Sequence, residues 1–202
     1  MALHTLIALE GSNMPDLESL IERGAIFYVS HSGGKDSQAM YAEIFNTVPV
    51  DQIVVVHADL GEVEWEGVQD HIRDTIAHDL NVVAATKTFF EMVERRYEKD
   101  PTRPCWPSSA TRQCTSDLKR GPIQKFIRND LKARGKTLAV NCMGLRAAES
   151  SARSKKQPWA INKALSVAGR EVWDWLPLHA WTDAAVFLRI RAAGQKPFWA
   201  YK

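Results

Sequence analysis

Apolar, β-branched runs bounded by turn residues recur at 25–30, 52–58, 81–85, 137–142 and 172–176, each short enough for a buried strand. Between them, residues 37–45, 65–79, 89–97, 118–134 and 182–193 place apolar side chains three or four apart, the period of a helix with one buried face. Ser37 and Thr182 stand where N-caps are expected. Strand and helix therefore alternate. This rhythm predicts an α/β fold: a doubly wound, mostly parallel five-stranded sheet with helices on both faces, Rossmann-like in class. Such sheets bind ligands at the carboxyl ends of their strands, so the loops after Ser30, Ala58 and Cys142 are expected to line one crevice.

Residues 98–116 break the rhythm. Pro101, Pro104, Pro107, Cys105 and Trp106 stand there among hydroxyl residues without periodicity, which reads as a functional loop or lid. The 202 residues read as one domain, with a core over about 25–193. A 45% hydrophobic, 25% charged composition is that of a globular chain and argues against long disorder. The net charge of +2 is too mild to indicate nucleic-acid binding, although basic residues cluster over 112–134 and 146–163. No apolar run approaches the roughly 18 residues of a membrane span, and the N-terminus lacks a signal-peptide layout, so a cytoplasmic location without membrane attachment is expected. Cys105, Cys114 and Cys142 form no close pair and suit reduced thiols.

The strongest chemical signal is Ser32-Gly33-Gly34-Lys35-Asp36-Ser37, between a predicted strand and a predicted helix. Two glycines permit positive φ and close backbone approach, so amide N–H groups and a helix N-terminus can face an anion. Lys35 adds a positive charge; the Ser32 and Ser37 hydroxyls add donors. The spacing is neither the Walker pattern nor the Gly-x-Gly-x-x-Gly dinucleotide fingerprint. A phosphate-binding loop is the reading, with Lys35, Asp36 and Arg146 as candidate catalytic residues and Ser30 beside the loop.

This hexapeptide resembles the pyrophosphatase loop of the adenine nucleotide α-hydrolase superfamily, and the chain over about 26–193 is similar to its phosphoadenylyl-sulfate reductase-like branch. The resemblance implies that the loop holds the phosphate or sulfate end of ATP, adenylyl sulfate or phosphoadenylyl sulfate. The segment 144–153 matches a second signature, Gly-x-Arg-x-x-Glu-Ser-x-x-Arg, after a strand. Gly144 would turn the chain, Arg146 and Arg153 offer planar forks for an anion, and Glu149 can orient an arginine. Asp59, in the segment 57–62, would take a ribose hydroxyl or Mg2+. His57 reads as a core residue. Around Cys114, Arg112, Lys119 and Arg120 are further anion candidates, and Asp117 is an N-cap or first-turn acid. The segment 173–183 reads as architectural.

The chain also departs from that branch. Its reductases carry a cysteine in a C-terminal Glu-Cys-Gly-like tail, whereas no cysteine follows Cys142 here; the tail is expected to be missing, and reduction by that route is not supported. An iron–sulfur cluster usually takes four thiolates and is not expected from three cysteines, with Cys105 and Cys114 the only ligand candidates. The leading expectation is ATP cleavage at the α-phosphate with Mg2+, activating an acceptor for sulfur transfer. A reductase lacking its catalytic tail, or a nucleotide-binding subunit of a nucleic-acid sulfur-modification complex, are the alternatives. A protein partner or a homodimer is compatible with each.

Overall fold

The computed structural model describes residues 15–108 and 114–201, so Arg112 lies outside the described residues. Helix α1 (Leu17–Glu22) leads into β1 (Ile26–Ser30), α2 (Lys35–Thr47), β2 (Ile53–Asp59), α3 (Val68–Thr75), β3 (Leu80–Ala84) and α4 (Phe89–Lys99). A π-helical turn (Cys114–Arg120) runs into α5 (Gly121–Ala133), followed by β4 (Leu138–Met143), α6 (Ser151–Ser154), β5 (Trp159–Ile161), β6 (Glu171–Trp175) and α7 (Asp183–Ala192).

The sheet has six strands in the order β3-β2-β1-β4-β6-β5, parallel except for β5, which pairs antiparallel to β6 at the edge. The expected five strands are all present and β5 is the addition. With only three residues, one of them Trp159 stacked on Trp175 at 4.9 Å, β5 has no alternating run to announce it.

Side chains of β1 alternate between two cores, as a strand buried on both faces requires. Phe27 and Val29 join Met40 and Ile44 of α2, Val186 and Ile190 of α7, and Leu20 of α1; Ile26 and Tyr28 join Ile127 and Leu131 of α5. The sheet is therefore doubly wound, with α1, α2 and α7 on one face and α5 on the other.

Two helix starts differ from the pattern-based expectation. Gly34, not Ser37, is the N-cap of α2, because the Ser37 hydroxyl donates back to the Gly34 carbonyl at 2.8 Å from inside the first turn. Helix α3 starts only at Val68, since Gly67 at φ 77° breaks the apolar period that begins at Trp65. Thr182 does cap α7, accepting from the Ala185 N–H at 3.2 Å.

The chain runs outward from β1 through β2 to β3 and returns on the other side of β1 as β4. Loops after β1 and β4 thus diverge where Ser30 and Met143 are register partners, the switch point at which open α/β sheets form their crevice. Among the described residues no helix is long and apolar enough to cross a membrane.

Candidate anion-binding site

Gly33 stands at φ 75°, a conformation that L side chains rarely adopt, and a Cβ there would lie 2.4 Å from Val68 Cγ2 of α3. This turn closes on itself: the Gly33 N–H donates to His31 Nδ1 at 3.1 Å and the Ser32 N–H to Ser37 Oγ at 3.1 Å. Both hydroxyls named from the sequence therefore lie together, with Ser32 Oγ 3.2 Å from Ser37 Oγ. What remains for a ligand is the first turn of α2, whose N–H groups have no intrahelical partner and carry the positive end of the helix dipole. Gly144 seats the loop after β4 against this turn; a Cβ on it would lie 3.1 Å from the Asp36 carbonyl.

His31 is fully enclosed, and burial first, then the neighbouring His57 and His71, push its pKa down to about 3, so it stands neutral. Because Nδ1 accepts from Gly33, the proton sits on Nε2, a buried atom without a partner among the described residues. His57, also buried, bonds through Nδ1 to the His31 carbonyl at 2.9 Å, which pins the loop from beneath.

Above the loop, Lys35, Asp36 and Arg146 come together with a fourth residue, Asp183. Lys35 Nζ lies 2.9 Å from both Asp36 and Asp183; Arg146 Nε lies 2.5 Å from Asp36, and its Nη2 2.8 Å from Asp183. Two cations meet two carboxylates, so the cluster is neutral without a ligand. Burial pulls the Lys35 ammonium down, but its bonds to Asp36 and Asp183 outweigh this and leave it above its ordinary value. Asp183 is held low by Lys35 first and Arg146 after.

Arg146 differs from the open fork expected of it. Its side chain is only 4% exposed and is spent on Asp36, Asp183 and the Trp181 carbonyl, while its backbone N–H donates to Glu149. It positions Asp36 and the helix starts rather than facing solvent. Glu149 also pairs with Arg153, so these two orient one another at the rim.

Asp59 stands apart, its oxygens taken by the Gly61 N–H at 2.8 Å and Gln69 Nε2 at 3.1 Å. With Glu64, Trp65, Glu66, Gly67, Val68 and Asp70 it lines an acidic cavity of about 430 Å3 that abuts the loop through Val68. Glu64 sits below its usual range: burial raises it, but His57 and the Leu60 N–H together outweigh that. No three His, Cys, Asp or Glu side chains among the described residues gather as a metal site. With its oxygens committed, Asp59 does not fit as a ready Mg2+ ligand. Lys119 and Arg120 are exposed at the end of the π-helical turn, and the Lys119 charge helps to lower Glu64. Cys142 is buried with its thiol pushed up by burial, and Cys105 is partly exposed; the Cys114 side chain lies outside the described residues. No cluster-binding cysteine set is assembled among the described residues.

The sequence reading passed over Asp183, His31 and Tyr201. Asp183 follows a Thr cap and so looks like any first-turn acid favoured by the helix dipole. Tyr201 arrives from the far end of the chain: its ring lies 5.8 Å from Lys35 Nζ, and its hydroxyl 3.0 Å from where a Gly34 Cβ would stand. Gln38 anchors the segment that carries it, donating to Gln195 and the Lys196 carbonyl, and Phe198 packs on His71.

A family model described as the phosphoadenosine phosphosulfate reductase domain matches residues 26–197. Among solved structures, the chain is similar to phosphoadenylyl-sulfate (PAPS) reductase from Candida auris in its phosphate complex, with TM-score 0.53 and 16% identity over 93% of this chain and 91% of that one. No curated protein matches.

Proposed function

The chain belongs to the phosphoadenosine phosphosulfate reductase family, and from that premise we propose that it binds an adenine nucleotide with the phosphate end in the 32–37 loop and cleaves ATP at the α-phosphate. One observation carries the reading: a glycine turn at φ 75° opens the first turn of α2 beneath Lys35, whose countercharges are the Asp36 and Asp183 carboxylates. Phosphate oxygens take the place of Asp183 on Lys35, and the helix N-terminus adds its N–H donors. The adenosine half lies in the acidic cavity beside α3, where the exposed Trp65 offers a stacking face.

In this reaction an acceptor oxygen attacks the α-phosphorus, the bond to the bridging oxygen breaks, and pyrophosphate leaves with that electron pair. Lys35 and the loop amides stabilise the charge that builds on the oxygens. A sulfur nucleophile then displaces AMP from the activated carbon.

A second reading, reduction of phosphoadenylyl sulfate, draws on the family match. Thin-layer analysis of α-labelled ATP and sulfite assays on phosphoadenylyl sulfate with reduced thioredoxin separate the two. AMP and pyrophosphate from ATP are expected; sulfite release with intact ATP would overturn the first reading in favour of the second.

A further inference from the structure

We infer that the cavity between the end of β3, helix α4 and the π-helical turn binds a small oligophosphate, a compound whose linked phosphate groups are recognised by charge without help from a ring. The site is separate from the anion loop and rests on different residues. Its volume is about 810 Å3, within the range of small-molecule pockets, and Lys87, Arg95, Arg96 and Lys99 line it together with Thr86 and Met92. Glu98 and Asp117 are the only acids among its lining residues, so four cations face two carboxylates. In the anion loop, by contrast, Lys35 and Arg146 already meet Asp36 and Asp183 one for one.

The cations are spread along the cavity rather than gathered at one point. Arg95 and Lys99 stand one turn apart on the side of α4 that carries the buried Met92, roughly 6 Å along its axis, and Lys87 enters from before the helix. The helix alone does not account for them. Arg96 and Lys99 lie in the last turn, where the dipole favours cations, but Lys87 directly precedes the Thr88 N-cap, at the end where the dipole disfavours them. Elsewhere on the surface, Arg23, Arg73, Arg134 and Arg189 each hold a carboxylate. Lys87, Arg95 and Lys99 have no ion-pair partner among the described residues, and Asp100, beside Lys99 in the chain, is taken by Arg103. An arriving anion therefore need not displace a resident acid from these three.

Charge and lining together define the ligand class. A single phosphate meets the cations at one end and leaves the others unpaired, whereas linked phosphates pair them in series, with arginine forks taking two oxygens at a time and Thr86 adding a hydroxyl donor. No aromatic side chain lines the cavity, so a nucleobase would gain no stacking partner there. The N–H groups that begin α4 do not serve the ligand either, because a capping box closes that end: Glu91 N–H donates to Thr88 Oγ1 at 3.2 Å and Thr88 N–H to the Glu91 carboxylate at 2.8 Å. Side-chain charge is left to do the binding, which makes it sensitive to salt.

The test is calorimetric titration with inorganic tripolyphosphate at several salt concentrations, in the Lys35→Ala chain so that the anion loop contributes least. That chain is expected to bind tripolyphosphate, more weakly as salt rises. Adding Lys87→Ala/Arg95→Ala/Lys99→Ala should weaken binding on the order of tenfold or more, with folding checked by circular dichroism. Lys87→Ala alone, which lies outside α4 and leaves the helix untouched, should weaken it by a smaller factor. Orthophosphate should bind the Lys35→Ala chain at least roughly tenfold more weakly than tripolyphosphate, since it pairs fewer of the cations. Failure of the anion-loop reading would leave the wild type and Lys35→Ala equal, an outcome separate from this one. No heat with tripolyphosphate, equal binding after removal of the three cations, or orthophosphate binding as tightly as tripolyphosphate would each overturn the inference. Tighter binding of a single-stranded oligonucleotide than of tripolyphosphate at equal phosphate concentration would also overturn it, by showing that a longer strand is the occupant.

Discussion

Replacing Gly33 by alanine perturbs one atom at the point where the anion loop touches α3. The new Cβ would stand 2.4 Å from Val68 Cγ2 and 3.7 Å from Ile72 Cγ1, both on side chains that are almost fully buried. A left-handed backbone costs an L-residue about 1–2 kcal/mol, and forcing a methyl group into packed surroundings costs about 1–3 kcal/mol, a sum of roughly 2–5 kcal/mol. With a urea slope of about 2.5 kcal/mol/M, towards the upper end of the usual range for a chain of this size, the unfolding midpoint should drop by roughly 1–2 M. Val68→Ala in the same chain removes the clashing methyl group and leaves the backbone cost. A double-mutant cycle should therefore show coupling of about 1–3 kcal/mol. Equilibrium urea denaturation of the four proteins measures this. A Gly33→Ala chain within about 0.5 kcal/mol of wild type, or an additive cycle, would refute the reasoning.

Arg146→Ala should destabilise the fold by about 3–5 kcal/mol, since it strips Asp36 of a nearly buried partner, while Lys35→Ala, which leaves Asp36 and Asp183 still paired with Arg146, should lower the urea midpoint less; denaturation of both variants checks the contrast. Asp183→Asn removes the carboxylate that competes with phosphate for Lys35, so calorimetric affinity for ATP should rise, most clearly at low salt. A fall in affinity would show that Asp183 helps to hold the ligand instead. His31 makes stability depend on pH. Its folded pKa of about 3 is depressed below 6.5, so the unfolded chain takes up the proton first as pH falls. Stability should be full above pH 6.5 and decline below it, by about 2 kcal/mol at pH 5 from this group, with the decline continuing towards pH 3. Unfolding scans from pH 7.5 to 5 test it, and a flat profile would contradict the enclosed neutral imidazole.

The alternation of strands and helices was legible because central strands of a parallel sheet are continuous apolar runs: 25–30 and 137–142 announce β1 and β4 unaided. β5 was not, since a three-residue edge strand is defined by its pairing with β6 rather than by its own pattern. Similarly, the Ser-Gly-Gly-Lys-Asp-Ser motif located the loop, but the state of its charges was out of reach. Lys35 and Arg146 look like free cations along the chain; only the approach of α7 brings Asp183 to neutralise them. His31, one residue before the motif, was not legible, because a histidine's burial depends on the β2 and α3 side chains around it. The basic face of α4 was spelled in the sequence but lost in the average charge.

The central claim is that Lys35 and the first turn of α2 form a nucleotide phosphate site, and calorimetric titration of the wild-type and Lys35→Ala chains with ATP, adenylyl sulfate and phosphoadenylyl sulfate tests it directly. The wild type should bind ATP, and Lys35→Ala should bind it about 10–100-fold more weakly, as loss of a charge-assisted bond requires. Unchanged affinity in Lys35→Ala, or no heat from any of the three nucleotides with the wild type, would contradict it.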